Sequence, residues 1–214
     1  MTPLVSKKVL LRYTQIQPGD TRFDDVLESL VESVSEVVQL YLGACLERSA
    51  LVELLPSRQV PEGSFLYVWL KAAPVVDDQI PLVVSYRDSV GGYQRLEERY
   101  YTVLKQEAVV VLQAFGGFSE NPVGLKVEYF GGYPSTVGMK WNYLEVPTAI
   151  ATATAIQTAY LFNLYSRGSF GIETVTGDDA KAKKTVSIRS GEVSLIPECQ
   201  ALLNLFRRNS GLVG

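Results

Sequence analysis

Val146–Ser166 reads VPTAIATATAIQTAYLFNLYS, and the reading of this stretch decides the fold. It holds no Asp, Glu, Lys or Arg. Ala149, Ile150, Ala153, Ile156, Ala159, Tyr160 and Leu164 recur at helical spacing. Pro147 suits the first turn of a helix, where its missing N–H costs nothing. Thr152, Thr154, Gln157, Thr158 and Asn163 dilute the apolar content, whereas a bilayer-crossing helix wants roughly 20 predominantly apolar residues. The stretch therefore predicts a helix buried on nearly all sides and no membrane span. Ala151, Ala155 and Ala159 form a smooth strip on which another helix can sit close. The strip is a candidate subunit interface, with part of the cover coming from a neighbouring copy through this helix or the amphipathic helix at 21–46.

Upstream, the texture is different. Gln17-Pro18-Gly19-Asp20 is a turn, and Thr21 with Asp24 resembles a capping box with Asp in place of Glu. An amphipathic helix is predicted from there to about Leu46. One face carries Phe23, Leu27, Leu30, Val34, Val37 or Val38, Tyr41 and Cys45; the other carries Glu28, Glu32, Ser35, Glu36 and Gln39. Ser6–Tyr13 reads as a short helix capped by Ser6 or as a strand. After Ser49 come short runs rich in Val, Tyr, Phe and Leu: Leu51–Leu55, Phe65–Leu70, Pro81–Tyr86, Tyr100–Leu104, Ala108–Leu112 and Leu125–Tyr129. Gly and Pro turns separate them, so an antiparallel β subdomain is expected between two helical segments. Tyr100–Leu104 and Ala108–Leu112 are spaced for a hairpin around Lys105-Gln106.

Downstream, Gly168 is a plausible left-handed helix cap. Phe170–Ser190 reads as an exposed loop with the basic cluster Lys181, Lys183 and Lys184, then a short strand Thr185–Arg189. A last helix is expected from Pro197 to Arg208, with Cys199, Leu202, Leu203 and Phe206 on its apolar face. Arg207 and Arg208 would lie in its last turn, where cations favour the helix dipole. The fold class expected is α+β. Residues 1–49 and 134–208 form a helical core, 50–133 an inserted β subdomain projecting from it, and 209–214 a flexible tail.

Composition narrows the function classes. The chain has 214 residues, 47% hydrophobic and 20% charged, with a formal net charge of -3 from 20 basic and 23 acidic side chains. That balance does not suit a chain built to coat nucleic acid. The start, MTPLVSKKVLLRYTQ, does not read as a secretory signal. Cys45 and Cys199 both fall in apolar helical patterns and read as buried free thiols. There is no histidine, which removes the commonest general base and zinc ligand. No phosphate-binding glycine loop or nucleophile elbow occurs. Asp77-Asp78 and Glu97-Glu98 read as solvated turns, and Asp178-Asp179 lacks spaced partners for a cation. Tyr100, Tyr101, Tyr129, Tyr133 and Tyr143 suit sheet packing and interfaces better than base stacking. The expectation is no catalysis, no cofactor and no metal.

The order of elements carries the remaining signal. A helix ends in Tyr41-Leu42-Gly43. A β insertion follows with Leu51-Val52-Glu53 and then Ala73-Pro74-Val75. A strand closes on Lys126-Val127-Glu128-Tyr129-Phe130-Gly131-Gly132-Tyr133 and leads to Val146-Pro147 and the alanine-rich helix. Ser187-Ile188-Arg189-Ser190-Gly191, Ile196-Pro197 and Leu202-Leu203-Asn204-Leu205-Phe206-Arg207-Arg208 complete the chain. From about Val9 to Arg208 this order resembles the head-to-tail connector (adaptor) proteins of tailed bacteriophages. The chain departs from them in its enlarged β insertion, in its longer link Pro134–Glu145, and in Phe206 where Tyr is usual.

The resemblance implies a structural virion protein and not an enzyme. It implies a ring, commonly of twelve copies, beneath the portal protein at the head–tail neck, assembled in the host cytoplasm. Such a ring extends the DNA channel, passes packaged DNA without sequence-specific binding, and docks a downstream stopper or tail protein. On this reading Arg207, Arg208, Leu212 and Val213 dock to the portal, residues 207–214 becoming ordered there. Competing readings are another neck protein, such as a head-completion stopper or tail terminator, or a nucleic-acid-binding accessory protein using Lys181–Lys184.

Overall fold

The computed structural model describes residues 1–58, 64–76, 80–87, 91–113, 123–138, 140–167 and 195–207. The fold is α+β. The chain divides into two compact units. One comprises Met1–Leu42 with Ser135–Arg207, and the other comprises Gly43–Pro134 among the described residues.

In the first unit, α1 (Lys7–Thr14) settles the ambiguity at Ser6. The Ser6 hydroxyl accepts a hydrogen bond from Val9 N at 3.4 Å, and Gln15 closes the helix at φ 58°. Helix α2 (Asp24–Leu42) begins with two acidic residues, which favours its dipole. The Asp24 carboxylate takes Lys7 Nζ as its partner and so ties the starts of α1 and α2 together. Leu27, Val31, Val34, Val38 and Leu42 are the buried stripe, so Val31 holds the central place expected of Leu30. Ser35, expected on the solvent face, is buried in that stripe: its hydroxyl donates to Val31 O at 2.6 Å and accepts from Leu4 N at 3.0 Å. The helix stops at Leu42, short of Leu46, because Gly43 turns left-handed at φ 63°. Cys45 consequently sits on no helix; it forms an isolated bridge with Ala72.

Helix α3 (Thr148–Ser166) is the stretch quoted at the outset, entered through Pro147 at ψ 142°. Three of its polar residues, Thr154, Gln157 and Thr158, are buried, and each is satisfied. The Thr154 hydroxyl donates to Ile150 O and the Thr158 hydroxyl to Thr154 O, while Gln157 Oε1 accepts from Ile196 N. Helix α4 (Pro197–Leu203) places Cys199 and Leu203 in the core. It ends at Leu203, and Arg207 therefore lies beyond a following turn rather than in the last helical turn. Two short strands, β9 (Ser135–Thr136) and β10 (Tyr143–Leu144), pair antiparallel. Their hairpin is fixed to the N-terminus by Leu144 N to Pro3 O at 2.8 Å and Trp141 Nε1 to Val5 O at 2.9 Å. Val5, Leu10, Leu27, Val31, Trp141, Ala155 and Phe162 form one core, with Phe23 edge-on to Phe162 at 5.4 Å.

The second unit contains β1 (Ser49–Arg58), β2 (Phe65–Trp69), β3 (Val75–Val76), β4 (Val83–Arg87), β5 (Tyr93–Arg95), β6 (Tyr101–Leu104), β7 (Val109–Gln113) and β8 (Val123–Gly131). A five-stranded sheet runs β1-β8-β4-β5 with β3 also on β8, and a three-stranded sheet runs β2-β7-β6. All pairings are antiparallel, and β6–β7 is the hairpin expected around Lys105-Gln106. Alternate residues of both sheets meet in one core: Leu66, Val68, Val110 and Leu112 from one, and Val84, Leu125, Val127 and Tyr129 from the other. Two sheets sharing one core make a β sandwich whose remaining faces are outward. A buried polar knot joins the layers. The Tyr129 hydroxyl donates to the Glu53 carboxylate and accepts from Ala72 N at 2.9 Å, and the same carboxylate accepts from Lys71 N at 2.7 Å. Gly132, at φ 105°, lies so close to Glu47 that a Cβ there would stand 2.6 Å from Glu47 O.

Candidate interaction surfaces

Among the described residues, no group of three or more His, Cys, Asp or Glu is placed to hold a metal ion. No helix among the described residues is long and apolar enough to cross a membrane. Glu97 and Glu98 are exposed and paired with Arg99 and Arg95. Asp77-Asp78, Asp178-Asp179, Gly168, the Lys181–Lys184 cluster and the strand expected at Thr185–Arg189 all lie outside the described residues. Burial and the Glu198 carboxylate push the Cys199 thiol up to about 11, against a backbone contact at Gln157 that lowers it. Its S–H donates to Ala153 O at 3.2 Å. A neutral, bonded thiol of this kind packs as a small apolar group and is a poor nucleophile.

The alanine strip lies against the chain's own helices. Ala155 has no exposed surface and shares a core with Leu10, Leu27, Val31 and Phe162. Ala159 is buried as well, and Ala151 is half-buried against the same core. Ala155 and Ala159, with so little surface left, have little to offer a second copy, whereas half-buried Ala151 keeps part of its surface. Besides Ala151, α3 leaves half-exposed a second stripe, Ala149, Thr152, Ile156 and Tyr160, at three- and four-residue steps.

Of the residues expected to dock a portal, Arg207 is described and exposed, whereas Arg208, Leu212 and Val213 lie outside the described residues. The Arg207 guanidinium stands 5.0 Å from the centre of the Tyr41 ring. The Tyr41 hydroxyl donates to Asn204 Oδ1 at 2.7 Å. These contacts hold the chain after α4 against the C-terminal end of α2, where Leu40 and Leu205 are both exposed.

The outward faces of the sandwich are where sequence reasoning stopped short. Phe65, Tyr67 and Trp69 occupy alternate positions of β2, an edge strand, and are 55%, 44% and 41% exposed. Register extends this face across the sheet: Tyr67 lies opposite Val111, which lies opposite Thr102, and Trp69 lies opposite Val109, which lies opposite Leu104. On the other sheet, Val52 and Leu54 of edge strand β1 are 59% and 67% exposed. They lie opposite Glu128 and Lys126, which form an ion pair at 3.0 Å. The signal for the aromatic face was present as three aromatics spaced by two. The sequence predicts only a strand over Phe65–Leu70, because alternation alone does not say which face is inward.

No family model and no curated protein matches the chain. Solved structures do. Over 97% of its length, the chain matches 91% of a chain from the neck of an empty gene transfer agent (GTA) particle computed with C6 symmetry, with a TM-score of 0.51 at 14% identity. A chain from the virion of the native GTA particle matches over the same shares, with a TM-score of 0.50 at 15% identity. The likeness is one of fold. It spans both units and nearly the whole of the GTA chains.

Proposed function

We propose that this chain is a structural protein of the neck of a tailed phage or phage-like particle. In this role it is a head-to-tail connector, a ring of identical copies beneath the portal that lines the DNA exit channel and docks the next neck or tail component. The observation that carries the reading is the match in fold to a GTA neck chain over almost all of both chains. The order of motifs that resembles connector proteins points the same way from the sequence.

Its work is mechanical and not catalytic, and it needs no cofactor. A mild net charge suits a channel that lets DNA pass without gripping it. Ring formation follows from head-to-tail contacts whose rotation closes, and the copy number expected is twelve. The end of the helical unit, with exposed Leu40, Leu205 and Arg207, continues into residues 208–214 and is the side that meets the portal. Arg207 and Arg208 supply charge-assisted bonds to portal carboxylates there.

Negative-stain imaging of the protein alone and with portal-bearing, DNA-filled heads tests this. The expected result is a ring with an axial channel, attached at the portal vertex, and a weaker attachment after truncation at Phe206. Particles that stay single and never decorate the vertex would refute the assignment. Unchanged attachment of the truncated chain would refute the docking role of the tail alone.

A further inference from the structure

We propose that the β sandwich supplies both halves of the contact between neighbouring copies. The Phe65–Tyr67–Trp69 face of one copy docks on the Val52–Leu54 face of the next. This inference rests on the ring reading above and names the surface that builds the ring.

Three observations carry it. The first is area. Aromatic side chains bury roughly 150–250 Å² each; at 41–55% exposure, Phe65, Tyr67 and Trp69 leave about 300 Å² of mostly apolar surface open, to which Leu104 adds. That is within the range of the largest patch on a typical monomer, which is often functional. It also makes a suitable aromatic centre for an interface drawing about 800 Å² from each partner.

The second is that there are two unlike patches. A two-fold contact uses one patch twice, whereas a closed ring needs two different patches on different sides of the subunit. The aromatic face and the Val52–Leu54 face belong to two sheets that share one core, so they look outward in opposite directions. A sandwich with an apolar patch on each outer face is a link that chains head to tail.

The third is complementarity at the strand edges. β1 and β2 are both edge strands, and an edge strand bearing exposed apolar side chains is an association site unless something covers it. Branched Val52 and Leu54 present knobs to flat aromatic rings. The Glu128 carboxylate beside them accepts hydrogen bonds of the kind that the Tyr67 hydroxyl and Trp69 indole donate.

The test uses the full chain and two double variants at exposed positions, Tyr67→Lys with Trp69→Lys and Val52→Lys with Leu54→Lys, each checked for native circular dichroism. Sedimentation velocity and native mass spectrometry read the assembly. The wild type is expected to form rings, and each variant to lose self-association by at least about tenfold. Mixed one to one, the variants are expected to stop at heterodimers, because each retains one intact face. A folded variant that forms rings like the wild type, in either pair, overturns the proposal while the ring reading stands. A wild type that stays monomeric up to about 1 mM overturns the proposal, and one that also never decorates the portal vertex overturns both together. Amide exchange of the wild-type monomer against the ring needs no variant: β1 and β2 are expected to gain protection, and gains elsewhere without gains there also overturn the proposal.

Discussion

Removing one oxygen atom, Tyr129→Phe, tests how the sandwich is held closed. The Tyr129 side chain is almost fully buried, and its hydroxyl links Ala72 N to the Glu53 carboxylate through one atom. The ring itself still fits, so little packing is lost. Two polar groups lose a partner. Ala72 N is left as a buried donor, which costs about 1–3 kcal/mol, and the carboxylate loses a charge-assisted bond worth about 1.5–3 kcal/mol. The carboxylate keeps its bond from Lys71 N at 2.7 Å, which softens the second loss. We expect a net cost of about 3 kcal/mol to the sandwich.

The two tryptophans make the assay specific, because Trp69 lies in the sandwich and Trp141 in the helical unit. In a Trp141→Phe background, Trp69 fluorescence follows the sandwich alone through a urea titration. With a slope of about 1.5 kcal/mol per molar urea, the midpoint should fall by about 2 M. Glu53→Gln retains an acceptor oxygen and should cost less, about 1–2 kcal/mol. The double variant should fall short of the sum of the singles by about 1–2 kcal/mol, because both act through one bond. A shift under about 0.3 M at unchanged slope would show that the knot holds nothing, and the account of the layers would be wrong.

Three further outcomes are expected. Ala155→Arg puts a charge among Leu10, Leu27, Val31 and Phe162 and should cost about 3–5 kcal/mol in the single subunit, whereas Ile156→Arg on the half-exposed stripe should cost under about 1; thermal melts of the monomer decide this. Gly132→Ala adds a Cβ 2.6 Å from Glu47 O at φ 105° and should lower the melting temperature by at least about 5 °C; an unchanged melt would mean the loop yields freely. For Cys199, burial pushes the thiol up to about 11 from its ordinary 9.0, so its contribution to stability is complete below 9 and lost as pH rises from 9 to 11. A thiol reagent at pH 8 should label half-buried Cys45 first and Cys199 only after unfolding, and equal native rates would contradict the burial.

How much of this was legible in the sequence depended on the range of the interaction. The stripe Leu27–Val34–Val38 repeats within one helix and was readable, as was the hairpin of β6 and β7, whose partners adjoin in sequence. Ser35 was misplaced because a hydroxyl reads as solvent-facing until Leu4 N is seen to need it. The apolar repeat continues past Gly43 to Cys45, but the left-handed turn at Gly43 breaks the helix first. The burial of the alanines was readable from their lack of charge, but not what covers them. The cover at Ala155 comes from α1 and α2, and α4 packs beside α3 through Cys199 and Ile196. Strand alternation was readable, but the order β1-β8-β4-β5 was not, because it joins segments far apart in the chain. Nor could alternation say which of Phe65 and Leu66 faces the core.

A match of fold at 14% identity constrains the inside of this molecule more than its outside. Core positions need only apolar volume at the right period, and volume-conserving exchanges there are tolerated. Many sequences therefore satisfy one arrangement of four described helices and three described sheets. Surfaces are under no such common demand. An exposed Phe65, Tyr67, Trp69, Val52 or Leu54 contributes nothing to its own core and leaves apolar area in water. Single exposed apolar side chains are ordinary, but two patches on opposed faces of one sandwich are not accounted for by folding alone. The contacts of this chain with its neighbours therefore have to be read from its own exposed residues and not carried over from the GTA proteins. On the ring reading proposed above, those residues are where a second copy would bind.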